Sequence, residues 1–183
     1  MRIIAGKHKS RKLIALEGLY TRPMMDKMKE TIFNIIGPYF DGDIVLDLFG
    51  GSGALSLEAI SRGASHADIV EVNRDAMRII KENVTNLHEE STTTFYHFDY
   101  QVALNLFARE QKKFDLIFLD PPYRLNLVKD IIDFIIMNEL LTKEGIIVCQ
   151  YVRGNYTPEE TANLEIRKNF NYASSEVCIY QKK

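Results

Sequence analysis

Residues 45–64 read VLDLFGGSGALSLEAISRGA. The apolar run Ile44–Leu48 has the length of a strand, Gly50-Gly51-Ser52-Gly53 makes a turn, and Ala54–Arg62 has the composition of a helix that stops at Gly63. Glycines between a strand and a helix permit a tight turn and let a ligand approach the backbone closely. The G-x-G-x-x-G frame that starts at Gly51 meets Ser56 where its third glycine belongs, and no Gly-Lys-Ser/Thr follows. Neither a dinucleotide fingerprint nor a phosphate loop is spelled out. Asp47, just ahead of the glycines, would repel a pyrophosphate. It suits a ligand bearing an ammonium or sulfonium group.

Outward from this loop the pattern alternates. Asp68–Val72, Thr92–His97, Phe114–Leu119 and Gly145–Tyr151 read as strands. Between them lie helices from Asp75 to about Leu87, over Val102–Glu110, and along Val128, Ile131, Ile132, Ile135 and Ile136. Such alternation predicts crossover units and a mostly parallel sheet covered on both faces. The near-continuous apolar strands FDLIFL and IIVCQY agree, because strands of this kind are buried on both sides. A polar loop over 153–163 precedes two more strands, Leu164–Phe170 and Ser175–Tyr180, which are close enough in sequence for an antiparallel hairpin. Upstream, 2–5 and 13–16 flank a basic stretch with Gly6 and predict a two-stranded ribbon. Pro23 opens a helix that Gly37-Pro38 ends. The expected division is an extension over 1–40 and a main domain over 41–183.

With 183 residues, 46% hydrophobic and 26% charged, the chain is neither disordered nor fibrous. Cys149 and Cys178 fit no disulfide framework or zinc spacing. No apolar segment of leader length opens the chain, and no charge-free run approaches the ~20 residues of a membrane helix. The expectation is a cytoplasmic protein without a metal. Asn83-Val84-Thr85 and Asn155-Tyr156-Thr157 match a glycosylation acceptor, without meaning in that compartment. The net charge of −2 hides an uneven distribution. In residues 1–30 Arg2, Lys7, Lys9, Arg11, Lys12, Arg22, Lys27 and Lys29 stand against Glu17, Asp26 and Glu30, which leaves the other 153 residues at −7. A basic arm on an acidic body attracts phosphates locally, although short charge runs are equally often solvated faces.

Two further elements share the crevice. Glu71 ends the next strand 21 residues after Gly50, the separation at which an acid meets a ribose diol in Rossmann-like sheets. Its carboxylate can accept both hydroxyl protons. Asp120-Pro121-Pro122-Tyr123 ends FDLIFL. Two prolines remove two backbone donors, which leaves the Asp120 carboxylate and the Pro121 carbonyl as acceptors beside an aromatic plane. That set suits stacking a flat base and holding its exocyclic amine. His8, His66, His88 and His97 are isolated, so none is assigned a metal or a proton.

Together, Asp47–Gly53, Glu71 and Asp120–Tyr123 resemble the motifs of Rossmann-like, S-adenosylmethionine-dependent amino-methyltransferases. With MRIIAGKHKSRKL at the N-terminus, TRPMMDKMKETIFNIIG (21–37) and FDLIFLDPPY (114–123), the chain resembles the RsmD-type 16S rRNA guanine-N2 methyltransferases over residues 1–150. Ser10 stands where that family is expected to carry glycine, and Met24 and Met25 where it carries a small hydroxyl residue.

The resemblance implies a class I methyltransferase fold, with a seven-stranded mostly parallel sheet ending in the antiparallel hairpin, preceded by the ribbon and a helix. It implies that Asp47, Phe49, Gly50, Gly51 and Gly53 hold the methionine part of S-adenosylmethionine and Glu71 its ribose. Asp99 would meet the adenine amine, with Phe98 beside the ring, although Asp99 reads equally well as a helix N-cap. Arg22, Pro23 and Asp26 would cover the crevice. Asp120, Pro121, Pro122 and Tyr123 would hold the target guanine, with Asp120 ionised near neutrality as an ordinary aspartate is. The implied partner is 16S rRNA or an assembling small subunit, met by a monomer. DNA adenine-N6 methylation and a non-catalytic RNA-binding module are the alternatives; a nicotinamide oxidoreductase is disfavoured by the missing third glycine.

Overall fold

The chain's structure, a computed structural model, describes residues 1–15, 26–122, 127–172 and 174–183. After α1 (Asp26–Ile36) come β1 (Ile44–Asp47), α2 (Ala54–Ser61), β2 (His66–Val70) and α3 (Arg74–Leu87). They are followed by β3 (Thr93–Tyr96), α4 (Tyr100–Arg109), β4 (Phe114–Leu119), α5 (Val128–Met137) and β5 (Leu141–Val152). The antiparallel pair β6 (Leu164–Tyr172) and β7 (Ser175–Lys182) closes the chain. The strand order is β3-β2-β1-β4-β5-β7-β6, and the first five strands are parallel. β7 runs antiparallel to both β5 and β6. The predicted parallel sheet with a terminal hairpin is what forms. Among the described residues no helix is long and apolar enough to cross a membrane.

Each sheet face buries its own core, as continuous apolar strands require. One core joins Val45, Ile69, Leu116 and Phe118 to Ile32, Phe33, Leu57, Ile60 and Ile80 of α1, α2 and α3. The other joins Leu46, Ile117, Leu119 and Cys149 to Phe107, Ile131 and Ile135 of α4 and α5. Cys149 sits directly opposite Cys178 between β5 and β7, and both are buried free thiols.

The expected ribbon forms nearer its turn than 2–5 and 13–16 suggested. Ile3 N–H donates to the Arg11 carbonyl at 2.9 Å, Ser10 N–H to the Ile3 carbonyl at 2.9 Å, and Leu13 N–H to the Met1 carbonyl at 3.1 Å. Two left-handed residues tighten the connection, Gly6 at φ +84° and Ser10 at φ +71°. Ser10 is where glycine was expected, and its backbone takes the conformation glycine favours. The opening of α1 at Pro23 lies outside the described residues.

The arm docks through backbone contacts. Lys7 N–H donates to the Ser61 carbonyl at 2.8 Å, and Ser61 Oγ donates to the Ala5 carbonyl at 2.6 Å. Ile4 and Ala5 N–H donate to the buried Glu58 carboxylate at 2.8 and 3.0 Å. A β-carbon at Gly6 would sit 1.7 Å from the Ser61 carbonyl oxygen, which is backbone and cannot yield. Gly6→Ala should therefore destabilise the protein by about 2 kcal/mol or more in urea unfolding, with the arm released first. Parental stability in that variant would mean the arm is not rigidly docked.

Candidate active site

Because β1 to β4 are parallel, their carboxyl ends and following loops share one edge of the sheet. That edge brings together Asp47, the glycine loop, Glu71, Phe98, Asp99 and Asp120. The loop is built by close approach. Gly50 N–H donates to the Val70 carbonyl at 2.8 Å, and a β-carbon on Gly50 would lie 2.6 Å from Ile69 Cγ2 and 3.0 Å from Ile80 Cδ1. Gly53, left-handed at φ +76°, caps α2 without any side-chain cap. The first-turn amides of α2 therefore rely on partners from outside the helix.

Glu71, half-buried, accepts Gly51 N–H on Oε2 at 2.9 Å and Asn73 N–H on Oε1 at 2.7 Å. It organises the loop as well as facing the crevice, and each oxygen keeps another lone-pair site. Phe98 and Val72 expose apolar surface at the same edge, at 43% and 63%. Phe49 packs on Tyr100 at 5.5 Å between ring centres. Asp99 is the N-cap of α4, with Oδ1 accepting Gln101 N–H at 2.9 Å. Its capping role is realised.

Asp47 is buried, and its Oδ2 accepts a 2.9 Å hydrogen bond from Ser56 Oγ. Burial pushes its carboxyl up to about 6, against the stabilising bonds of Ser56 and of the Phe49 amide. Asp120, half-buried at the end of β4, is pushed up to about 7, first by loss of water and then by the charge of Asp47. This corrects the expectation of an ordinary ionised aspartate. The two acids end neighbouring strands, and each raises the cost of ionising near the other. Pro121 is buried and Pro122 exposed. Tyr123, Arg22 and Pro23 lie outside the described residues. Asp26 is held by the arm: its carboxylate accepts Arg2 N–H and pairs with Arg2 Nε, both at 3.3 Å. Among the described residues no group of three or more His, Cys, Asp or Glu gathers as metal ligands.

Sequence reasoning passed over Ser56, Val72, Tyr100 and Asn83, which hold or line this edge. Ser56 was legible as a polar residue in the first turn of an otherwise apolar strand–helix unit. The others carry no local signal.

A family model described as Conserved hypothetical protein 95 matches residues 1–181. The chain is 40% identical over 183 residues to a Bacillus subtilis protein named "Putative rRNA methyltransferase YlbH", covering all of both. It is 29% identical over 182 residues to ribosomal RNA small subunit methyltransferase D of Escherichia coli, covering 100% of this chain and 90% of that one. A solved Escherichia coli structure, described as "Putative methyltransferase yhhF", superposes with a TM-score of 0.85 at 27% identity, covering 100% of this chain and 98% of that one. The fold is that of the Rossmann-like class of S-adenosylmethionine-dependent methyltransferases. Within that class the chain belongs to the RsmD family, the one whose model it matches almost end to end.

A carboxyl raised on folding contributes stability while it is protonated and loses that contribution as pH rises through its folded value. The unliganded protein should thus lose stability between about pH 4 and pH 7. Asp120→Asn should remove part of the loss, leaving the variant about 2–4 kcal/mol more stable than the parent above pH 7 and nearly equal near pH 4. Urea unfolding across pH measures it; parallel curves for the two proteins would show that Asp120 is not desolvated.

Proposed function

We propose that the chain transfers a methyl group from S-adenosylmethionine to N2 of a guanine in small-subunit ribosomal RNA, acting as a monomer in the cytoplasm on 16S rRNA or an assembling subunit. The observation that carries this reading is the acceptor pair Asp120 and Pro121 ending β4 beside buried Asp47, in a chain of the family that includes small-subunit rRNA methyltransferase D. The donor set fits the cofactor. Two partly desolvated carboxyls, Asp47 buried and Asp120 half-buried, favour a cation, Glu71 offers acceptors to a diol, and exposed Phe98 and Val72 offer apolar surface to a base.

When bound, S-adenosylmethionine supplies a methyl made electrophilic by its sulfonium. Asp47 and the loop from Phe49 to Gly53 would hold the methionine part, Glu71 the ribose, and Phe98 and Asp99 the adenine. A guanine amine is a poor nucleophile because its lone pair is delocalised into the ring. Hydrogen bonds to the Asp120 carboxylate and the Pro121 carbonyl would turn that lone pair toward the methyl and stabilise positive charge growing on nitrogen. With a carboxyl near 7, Asp120 can then take the proton that the methylated amine sheds. The base must leave its stack to reach the crevice, and Tyr123 would replace the lost stacking, worth about 1–3 kcal/mol. Arg22 and Pro23 would cover the site.

Residues 1–40 form the proposed RNA-contacting extension of a methyltransferase domain over 41–183. The arm's cations fall into two groups. Lys7 pairs with Glu89 at 2.7 Å, Arg11 donates to the Asn86 carbonyl at 2.6 Å, and Arg2 pairs with Asp26. Lys9 and Lys12 are exposed and make no ion pair among the described residues. These two are the proposed phosphate contacts.

Labelled methyl transfer to naked rRNA, free small subunits and DNA, side by side, tests the reaction. Label in N2-methylguanine from an rRNA-containing substrate supports it, and label in DNA adenine would overturn it. Glu71→Ala should weaken S-adenosylhomocysteine binding at least tenfold, and Asp120→Ala should lower single-turnover transfer by 100-fold or more with affinity for the uncharged S-adenosylhomocysteine little changed. A folded Asp120→Ala protein that transfers methyl at the parental rate would sink the mechanism. Replacing Lys9 and Lys12 by Ala should lower the slope of log affinity for rRNA against log salt by about 1.5. An unchanged slope would make the arm a packing element only.

A further inference from the structure

Asn83 lies on α3, 1% exposed, and its amide is bonded at the oxygen and at both N–H groups. Oδ1 accepts Ile14 N–H at 2.8 Å, and Nδ2 donates to the Ile14 carbonyl at 2.9 Å, as a neighbouring strand would. The second Nδ2 hydrogen goes to the Ser52 carbonyl at 2.9 Å. Thus one side chain ties the basic arm to the middle of the glycine loop.

What it holds there is a peptide plane. The Ser52 carbonyl and the Gly53 N–H belong to one peptide unit. The N–H end is fixed by the Gly50 carbonyl at 2.7 Å and the carbonyl end by Asn83. A flip of that plane turns on Ser52 ψ and Gly53 φ, and Gly53, at φ +76°, is a residue type that adopts either sign of φ at little cost. Ile80, one turn before Asn83 on the same helix, packs against the loop glycines. The arm adds a contact of its own, Met1 Sδ 4.0 Å from Ser52 Oγ. Seen from the arm, Ile14 is bonded on both its N–H and its carbonyl to the residue that sets the loop.

We propose that Asn83 is a positioning residue that couples the arm to the cofactor loop, so that RNA held by the arm raises affinity for the cofactor, and cofactor raises affinity for RNA. The RNA half rests on the function proposed above. The arm–loop half rests only on the loop's proposed hold on the cofactor. Coupling of this kind is reciprocal by linkage, and its common range covers about tenfold. Burial and the three bonds of its amide also mean that Asn83, although it matches a glycosylation acceptor, is closed to modification.

The test uses the full chain and S-adenosylhomocysteine calorimetry. Ile14 is on the surface at 38% exposure. Ile14→Pro removes the N–H that Asn83 accepts, while Ile14→Ala keeps it. Ile14→Pro should weaken binding about fivefold to tenfold and Ile14→Ala should leave it unchanged. Asn83→Ala should weaken binding by a similar factor, and the double variant Ile14→Pro/Asn83→Ala should be no worse than Asn83→Ala alone. Additive losses, or parental affinity in Ile14→Pro, overturn the coupling. Should Asn83→Ala fail to fold, the contrast between the two Ile14 variants decides alone. Purified 16S rRNA is then added. It should tighten binding about tenfold in the parent and in Ile14→Ala, but not in Ile14→Pro. Equal tightening in all three would contradict the proposal. An rRNA that binds none of them would overturn the RNA reading and leave the arm–loop result standing.

Discussion

Asp47, buried, and Asp120, half-buried, end adjacent strands, and loss of water raises their carboxyls to about 6 and about 7. Everything around the crevice follows from keeping two acids there. Ionised together and unpaired they would be costly, since like charges and burial act in the same direction. Ser56 Oγ and the Phe49 amide offset part of that cost for Asp47; Asp120 has no compensating bond of that kind among the causes of its shift. A site held in this state is unfavourable until something positive arrives. Such strain is a common property of binding sites, where stability is given up for selectivity.

A second constraint is the arm. Glu58 is fully buried and takes four partners: Ile4 and Ala5 N–H, Arg62 Nε at 2.7 Å and Lys29 Nζ at 3.1 Å. Lys29 in turn donates to the Arg2 carbonyl at 2.6 Å, and burial lowers its affinity for its proton while Glu58 opposes that. A buried ion network of this sort contributes little net stability against an apolar substitute, but breaking one member leaves the rest uncompensated. Its effect is to fix where the arm goes. α2, which starts at the glycine loop, carries Glu58; α3, which packs on that loop, carries Asn83. The basic arm is thereby attached to the two helices that shape the glycine loop.

The strands and helices were legible because both faces of this sheet are buried, which writes continuous apolar runs that end at glycine and polar turns. Gly50 was legible for a steric reason, since Ile69 and Ile80 leave no room for a β-carbon there. Glu71 could be placed by spacing, but not its bond to Gly51, which requires β2 and the loop to be folded together. The raised carboxyl of Asp120 was not legible. It depends first on loss of water at the folded sheet edge and then on Asp47, 73 residues earlier, through a strand pairing that no local pattern encodes. Asn83 in KENVTN reads as a solvated helix position, and only the returning arm buries it. The arm's charges were legible as a cluster, but the separate parts they play were not. Lys7 and Arg11 anchor the arm to the end of α3 and the residues after it, whereas Lys9 and Lys12 face solvent.

The claim that a cationic cofactor relieves the two desolvated acids is tested most directly by counting protons. Calorimetric titrations at pH 7 in buffers of different ionisation enthalpy give the protons released on binding. S-adenosylmethionine and S-adenosylhomocysteine share every polar group of the amino acid and nucleoside parts, and differ in the charge on sulfur. S-adenosylmethionine should release more protons than S-adenosylhomocysteine, and the excess should vanish in Asp120→Asn. Equal proton release by the two ligands in the parent protein would contradict the account.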